Sequence, residues 1–211
     1  PIYRYLLNSI FISLAVTALS VIVSSMAGYI LSKKNFKGKR TLNEINTLAM
    51  MFVGTAVTIP RFLIISSVGI VNTMFAHILP LLAMPVGLFL VKQFIDDVPN
   101  ELIEAAKLDG AGDFYIYTKI ILPLIKPAIV TVSILAFQSA WNNTETAMLY
   151  VSNEELQTFA YYLGTLSGAS NAVSGAGVGA AAALILFLPN LIIFIIMQSK
   201  VIDTMAYSGM K

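Results

Sequence analysis

Five long apolar runs separated by short polar stretches set the limits on what this chain can fold into. They cover about residues 6–31, 48–68, 74–94, 124–150 and 177–197. Each is close to or above the ~20 residues that a helix needs to cross ~30 Å of hydrocarbon. Lipid offers backbone groups no hydrogen-bond partner, so segments of this kind cross it as helices. Composition agrees: 57% of residues are apolar and 11% charged, with a mean hydropathy of +0.81. Soluble domains carry roughly 25% charged residues. The class implied is an all-α membrane protein, a single domain over residues 1–211. A net charge of +2 gives no argument for a nucleic-acid partner. Cysteine is absent and His77 is the one histidine, so neither a disulfide nor a resident metal or cofactor is expected.

The basic residues orient the runs. Lys33, Lys34, Lys37, Lys39 and Arg40 crowd the link between the first two. Lys92, Lys107, Lys119 and Lys126 surround the link between the third and fourth, and Lys200 and Lys211 follow the fifth. Five alternating spans place all of these on one side and leave Arg4 and Arg61 on the other. Short loops rich in Lys and Arg stay cytoplasmic, so the segment around Glu104 and the C-terminus are expected inside. The linker 152–175, with Glu154 and Glu155 and no Lys or Arg, is expected outside. The chain then starts outside with Pro1, and one further helix is expected before it, giving six spans in the intact protein.

The polar segment 97–123 reads as a helix–turn–helix. Asn100 is expected to cap a first helix, with Leu102, Ala105, Ala106 and Asp109 along one face. Asp109-Gly110 is a turn signal. Asp113 is expected to cap a second helix with Phe114, Tyr117 and Ile121 as its apolar stripe, and Pro123 to end it. By these features alone the segment is an amphipathic link that rests on headgroups or carries a partner.

Glu104-Ala105-Ala106, Gly110, Ile120, Leu122 and Pro123 follow the spacing EAA-x3-G-x9-I-x-LP. This resembles the coupling loop in permease subunits of bacterial ATP-binding-cassette importers. Leu7-Asn8-Ser9, Val68-Gly69-Ile70-Val71-Asn72-Thr73 and Trp141-Asn142 resemble the carbohydrate-uptake type, similar to the smaller permease of the maltose importer. The tail 206–211 departs from that group's small-residue ending. The resemblance implies a type I importer permease fold in a bacterial plasma membrane. It implies as partners ATPase subunits, a second permease and an extracellular or periplasmic solute-binding protein. It makes Glu104, Ala105, Ala106, Asp109 and Gly110 the ATPase-docking core, with Ile120, Leu122 and Pro123 as support. The implied cargo is a sugar or oligosaccharide; amino acid, peptide or phosphate is the alternative for the same machine.

Gln138, Trp141, Asn142 and Asn143 gather at the far end of the fourth run. Polar groups at that depth face protein or water. They line a solute path, with Trp141 against a sugar ring, or they pack against a partner permease. His77 is expected to bond a neighbouring helix, Arg61 to meet headgroups or a loop, and Pro80 and Pro85 to bend the third run. Gly175-x3-Gly179 suits close helix packing. No GxxxxGK[ST] loop occurs, so ATP hydrolysis would belong to a partner and this chain has no expected catalytic residue. A secondary transporter would need ionisable groups inside its spans, and beyond Glu145 these runs hold almost none.

Overall fold

The computed structural model describes residues 2–52, 54–169 and 172–208; side chains are not described at 55, 167–169, 172–175, 178 and 197–208. Gly175 and the tail motif therefore fall wholly or partly outside the described residues. Twelve α-helices follow one another, and there is no strand among the described residues. They are α1 (Ile2–Lys33), α2 (Lys39–Met51), α3 (Thr58–Ser67), α4 (Met74–Leu82), α5 (Pro85–Asp96) and α6 (Asn100–Leu108). After them come α7 (Asp113–Ile116), α8 (Leu122–Leu124), α9 (Lys126–Trp141), α10 (Glu145–Tyr150), α11 (Phe159–Ala169) and α12 (Ala172–Ser208).

Helix α1 is the hub, touching α4, α5, α9 and α11. One face of it is small: Ser9, Ser13, Ser20, Ser24, Ser25 and Gly28 are all buried. Small residues let helix backbones approach, which is how helices pack where water gives no hydrophobic drive between them. The opposite face, with Leu7, Phe11, Leu14, Ile22 and Ile30, is exposed and apolar, as a lipid-facing surface must be.

Two helices, α1 and the segment Gly179–Ile196 of α12, are long and apolar enough to cross a membrane. The pairs α4–α5 and Asp113–Leu124 with α9 bring the number to four if each bent pair counts as one span. The α4–α5 bend of 44° lies at Pro85, with Pro80 inside α4, as their positions predict. The second apolar run is not one helix. It is divided among the end of α2, a 3₁₀ turn at Gly54–Val57 and α3, with Pro60 in the first turn of α3. Proline has no N–H to donate into a preceding turn and glycine weakens a helix interior, so Gly54 and Pro60 favour a break here, although α4 and α12 run through Pro80 and Pro189. Helix α3 is ten residues long, or about 15 Å, and leaves Ile59, Leu63 and Ile64 exposed.

Gly28 shows how close the helices come. A Cβ there would lie 3.1 Å from Val91 Cγ1 and 3.4 Å from the Lys92 backbone nitrogen on α5. Gly28→Leu should therefore lower stability by about 1–3 kcal/mol through overpacking, read as a reduced melting temperature of the detergent-solubilised protein. Gly164→Ala, where no atom lies within 4 Å, should leave that temperature unchanged or slightly raised. Equal behaviour of the two variants would mean that α1 and α5 do not meet at Gly28.

Candidate functional site

Helices α6–α8 form a bent arm at the end of the bundle that carries most of the basic residues. Helix α6 starts after Pro99, and Asn100 is its first residue rather than its cap. The Asn100 side-chain oxygen instead accepts from Lys33 Nζ at 3.0 Å, and the same ammonium donates to the Val98 carbonyl at 2.6 Å. These bonds fasten the arm's entrance to the end of α1.

The end of α6 is a Schellman turn. Ala111 N–H donates to the Ala106 carbonyl (2.9 Å) and Gly110 N–H to that of Lys107 (3.0 Å), with Gly110 at φ +82°. A side chain at that φ is strained even though no atom lies within 4 Å of a Cβ there. The sequence signal Asp109-Gly110 thus marks a backbone requirement.

Of the expected face of α6, Leu102, Ala105 and Asp109 are exposed and Ala106 turns partly inward. Ile103 is buried and Ala106 is half-buried against the core, whereas Glu101, Glu104, Ala105 and Leu108 point outward at helical spacing. Ala106 therefore belongs to the seat of the helix, because Ile103 rolls that side inward. Leu108, missed in the sequence reading, is 89% exposed, the highest value among the large apolar residues. Its signal was a leucine three residues after Ala105 in a segment otherwise polar on that side. Asp109 and Gly110 are exposed as well. With Ala106, Tyr115, Lys119 and Ile120 they border an open groove of 560 Å³.

The second half of the arm also departs from expectation. Gly112, not Asp113, caps α7. Asp113 pairs with Lys34, whose hydrogen bond holds the carboxyl below the usual carboxylate range. That contact stands above the ordinary Asp pKa and is lost as pH falls through the lowered one. Phe114 is 73% exposed, while Tyr117 and Ile121 are buried with Ile116 and Ile125. Between α7 and α8 the chain makes a π turn, Tyr117–Ile121. The N–H of Leu122 reaches back to the Tyr117 carbonyl, which widens the turn just before Pro123. Proline in a regular helix collides with the carbonyl four residues earlier, and a π bulge makes room for its ring. Pro123 itself is exposed and stays inside α8; the break comes at Ile125 (φ −96°, ψ 17°). There the arm turns by 82° into α9. Ile120 and Leu122 are half-buried and pack on the cluster of Tyr29, Val91, Ile95, Ile121 and Ile125. Ser25 and the Tyr117 hydroxyl meet at 2.7 Å, joining arm and hub inside the core.

The polar group at the end of α9 lies far from the arm. Trp141 is buried: its ring stacks on Phe137 (5.8 Å, 12°) and its N–H donates to the Leu186 carbonyl at 3.1 Å. The ring therefore packs α9 on α12 and offers no open face to a sugar. Asn143 is half-buried and accepts from the Thr146 N–H (2.9 Å) and hydroxyl (2.8 Å), a local cap for α10. Gln138 is half-buried, and its backbone carbonyl accepts from Asn142 Nδ2 at 2.9 Å. Asn142 is exposed, and its Oδ1 accepts from Asn190 Nδ2 at 3.1 Å. Asn190, a polar residue beside Pro189 in the apolar helix α12, was not singled out in the sequence.

The motifs around the opposite end have structural duties. Asn8 Nδ2 donates to the carbonyls of Glu155 (2.8 Å) and Gln157 (3.0 Å), and the Phe159 N–H donates to Ser9 Oγ (2.8 Å). Asn72, at φ +61°, accepts from the N–H groups of Ser152 (3.1 Å) and Asn153 (2.8 Å). His77 is fully buried between Thr146 Oγ1 (2.9 Å) and the Leu156 carbonyl (3.0 Å), the interhelical role its position predicts. Arg61 meets Glu145 at 3.3 Å.

A helical membrane bundle with a surface arm bent into one of its spans is the architecture of an importer permease. The chain belongs to the family of binding-protein-dependent transport system inner membrane components, matched over residues 20–199. It has the type I ABC importer permease fold. One relative is the polygalacturonan/rhamnogalacturonan transport system permease protein YtcP of Bacillus subtilis (strain 168). It is 38% identical over 152 residues, 72% of this chain and 52% of that protein. Another is the trehalose transport system permease protein SugB of Mycobacterium tuberculosis (strain CDC 1551 / Oshkosh), 30% identical over 98% of this chain and 76% of that one. The chain thus spans about half the length of the first and three quarters of the second. Among solved structures it resembles a chain of a bacterial ABC transporter involved in import of the acidic polysaccharide alginate. The TM-score is 0.81 at 26% identity, over 93% of this chain and 74% of that chain. A chain of the MetNI methionine ABC transporter shares the fold at 17% identity, with a TM-score of 0.73 over 96% of this chain and 95% of that one.

Replacing His77 by Ala should cost about 2–4 kcal/mol, because it opens a cavity and strips the Leu156 carbonyl of its donor. Thermal unfolding of the solubilised protein measures this. An unchanged melting temperature would show that the ring does not join α4 to the 151–158 segment.

Proposed function

We propose that this chain is one half of the translocation pathway of an ATP-binding-cassette importer for a sugar or oligosaccharide. The observation that carries this reading is the arm. Its outward face of Glu104, Ala105 and Leu108 is free of the bundle, while its inward face is built into the core that α1, α5 and α9 share. A partner pressing on α6 would move α9 with it, since the Schellman turn and the buried Tyr117, Ile121 and Ile125 leave little slack between them. On this reading Glu104, Ala105, Asp109 and Gly110 contact an ATPase subunit that supplies the hydrolysis, with Leu108 as the apolar anchor. Ala106, Ile120, Leu122 and Pro123 hold the arm's shape.

Residues 1–211 act as a single permease domain in the bacterial plasma membrane. The arm and the C-terminus lie on the cytoplasmic side, as the clustering of Lys and Arg supports. A second permease completes the path, and a solute-binding protein outside delivers cargo. Sugar is favoured over amino acid, peptide or phosphate because relatives that match over nearly the whole chain include permeases named for trehalose and for arabinooligosaccharides. Asn142 and Asn190 are the residues at the end of α9 best placed to meet solute or the second permease.

Purification of the intact protein in mild detergent should bring down a Walker-loop ATPase and a second permease. Leu108→Arg and Gly110→Val should each cut solute uptake at least tenfold, with normal membrane insertion and with less ATPase recovered. Wild-type uptake by both variants would remove α6 from the docking role.

A further inference from the structure

We propose that the end of the bundle opposite the arm carries a carbohydrate subsite of this chain's own, an aromatic-walled cavity suited to a neutral oligosaccharide rather than to a uronate. This rests on the sugar-importer reading and adds where the chain would touch its cargo. The cavity measures 710 Å³ and lies among the start of α1, α3, the α10–α11 connection and α11. That is within the roughly 300–1,000 Å³ of small-molecule sites.

Its walls combine two kinds of surface. Tyr5, Phe62, Tyr161 and Tyr162 contribute rings. Tyr5 and Tyr162 stack with centroids 4.7 Å apart, and Phe62 stacks on buried Tyr150 at 6.2 Å, so Tyr5, Tyr162 and Phe62 are held before any ligand arrives. An aromatic face is electron-rich and apolar, which suits the polarised C–H face of a pyranose or furanose. Hydroxyl edges need polar partners, and Glu154, Ser152 and Thr165 border the cavity to supply them. Gln157 gives its Nε2 to the Val151 carbonyl at 2.8 Å, while its Oε1 is buried with no hydrogen-bond partner among the described residues. That oxygen is closed to solvent, so the cavity offers a hydroxyl the carboxylate of Glu154 and the hydroxyls of Ser152 and Thr165.

The scaffold is preformed. Asn8, Ser9 and Asn72 hold residues 152–159 by the five hydrogen bonds from the α1 and α3–α4 side described above. Charge then selects the class of sugar. Among the described residues, Glu154 is the one charged residue that borders the cavity. Both arginines of this end are ion-paired, Arg4 with Glu155 and Arg61 with Glu145. A uronate carboxylate would meet Glu154 with no cation among the described lining residues to offset it, whereas a neutral sugar can donate hydroxyls to that carboxylate.

The test uses the complete complex of intact chain, second permease and ATPase subunits in lipid nanodiscs. Saturation-transfer NMR reads contact between protein aromatic protons and sugar ring protons. The probes are partial hydrolysates of starch and arabinan as neutral oligosaccharides, and of polygalacturonate as uronates. We expect transfer to neutral oligosaccharides that falls at least fivefold in the Tyr161→Ala, Tyr162→Ala double variant. Glu154→Gln, an exposed change that spares the fold, should weaken neutral binding severalfold and admit galacturonate. Equal transfer in wild type and both variants, no transfer to any neutral probe, or galacturonate binding in the wild type would each overturn the subsite. Stimulation of ATP hydrolysis by cargo-loaded binding protein is measured in parallel. If sugar stimulates hydrolysis while the NMR signals ignore the variants, the subsite falls and the importer reading stands. If no sugar stimulates it, the importer reading falls too.

Discussion

The small face of α1 is the contact on which the rest of the bundle depends. Serine and glycine at Ser13, Ser20, Ser24, Ser25 and Gly28 bring α4, α5 and α9 close to one central rod. Within a membrane such contact is made by packing, since lipid tails solvate a leucine as well as another leucine does. Both ends of that rod are then fastened by polar bonds. At one end Ser25, Lys33 and Lys34 hold the arm. At the other Asn8 and Ser9 hold residues 155–159. One helix therefore touches both the face proposed to meet an ATPase and the cavity proposed to meet a sugar.

Breaks in the helices do as much as the helices. The 44° bend at Pro85 and the π turn ahead of Pro123 each coincide with a proline, and the 82° corner falls at Ile125, just before Pro127 in the first turn of α9. At Gly110 a left-handed residue reverses the chain. These devices set a surface helix pair across the foot of α9 and let backbone groups near the breaks find partners inside the bundle, as membrane depth requires. The result is an arm whose outer face is free and whose inner face is core.

Similarity to importer permeases for chemically different cargoes fits this division. A chain of a methionine transporter and one of an alginate transporter both share the fold. What they share with this chain is the fold, so cargo has to be argued from local chemistry. In this chain the chemistry proposed for cargo is tyrosine faces and the Glu154 carboxylate at the end away from the arm.

The sequence by itself determined the membrane class, the helical architecture, the turn at Gly110 and the family, because apolar run length and a spaced motif are local properties of the chain. It also indicated His77 as an interhelical bond and Pro85 as a bend. It could not decide which side of α6 faces the core. Ile103 and Ala106 go inward only because α1, α5 and α9 leave a seat for them, and Leu108 is left outside by the same rotation. Nor could it show that the second apolar run is broken, since hydropathy reads length and ignores the proline and glycine within. The sequence left Trp141 open between a ring for sugar and a packing residue, and the packing of α9 on α12 buried it. The tyrosines of α1 and α11 are 157 positions apart at Tyr5 and Tyr162. Only tertiary structure brings such distant residues together, because a contact between remote helices depends on how every intervening helix packs.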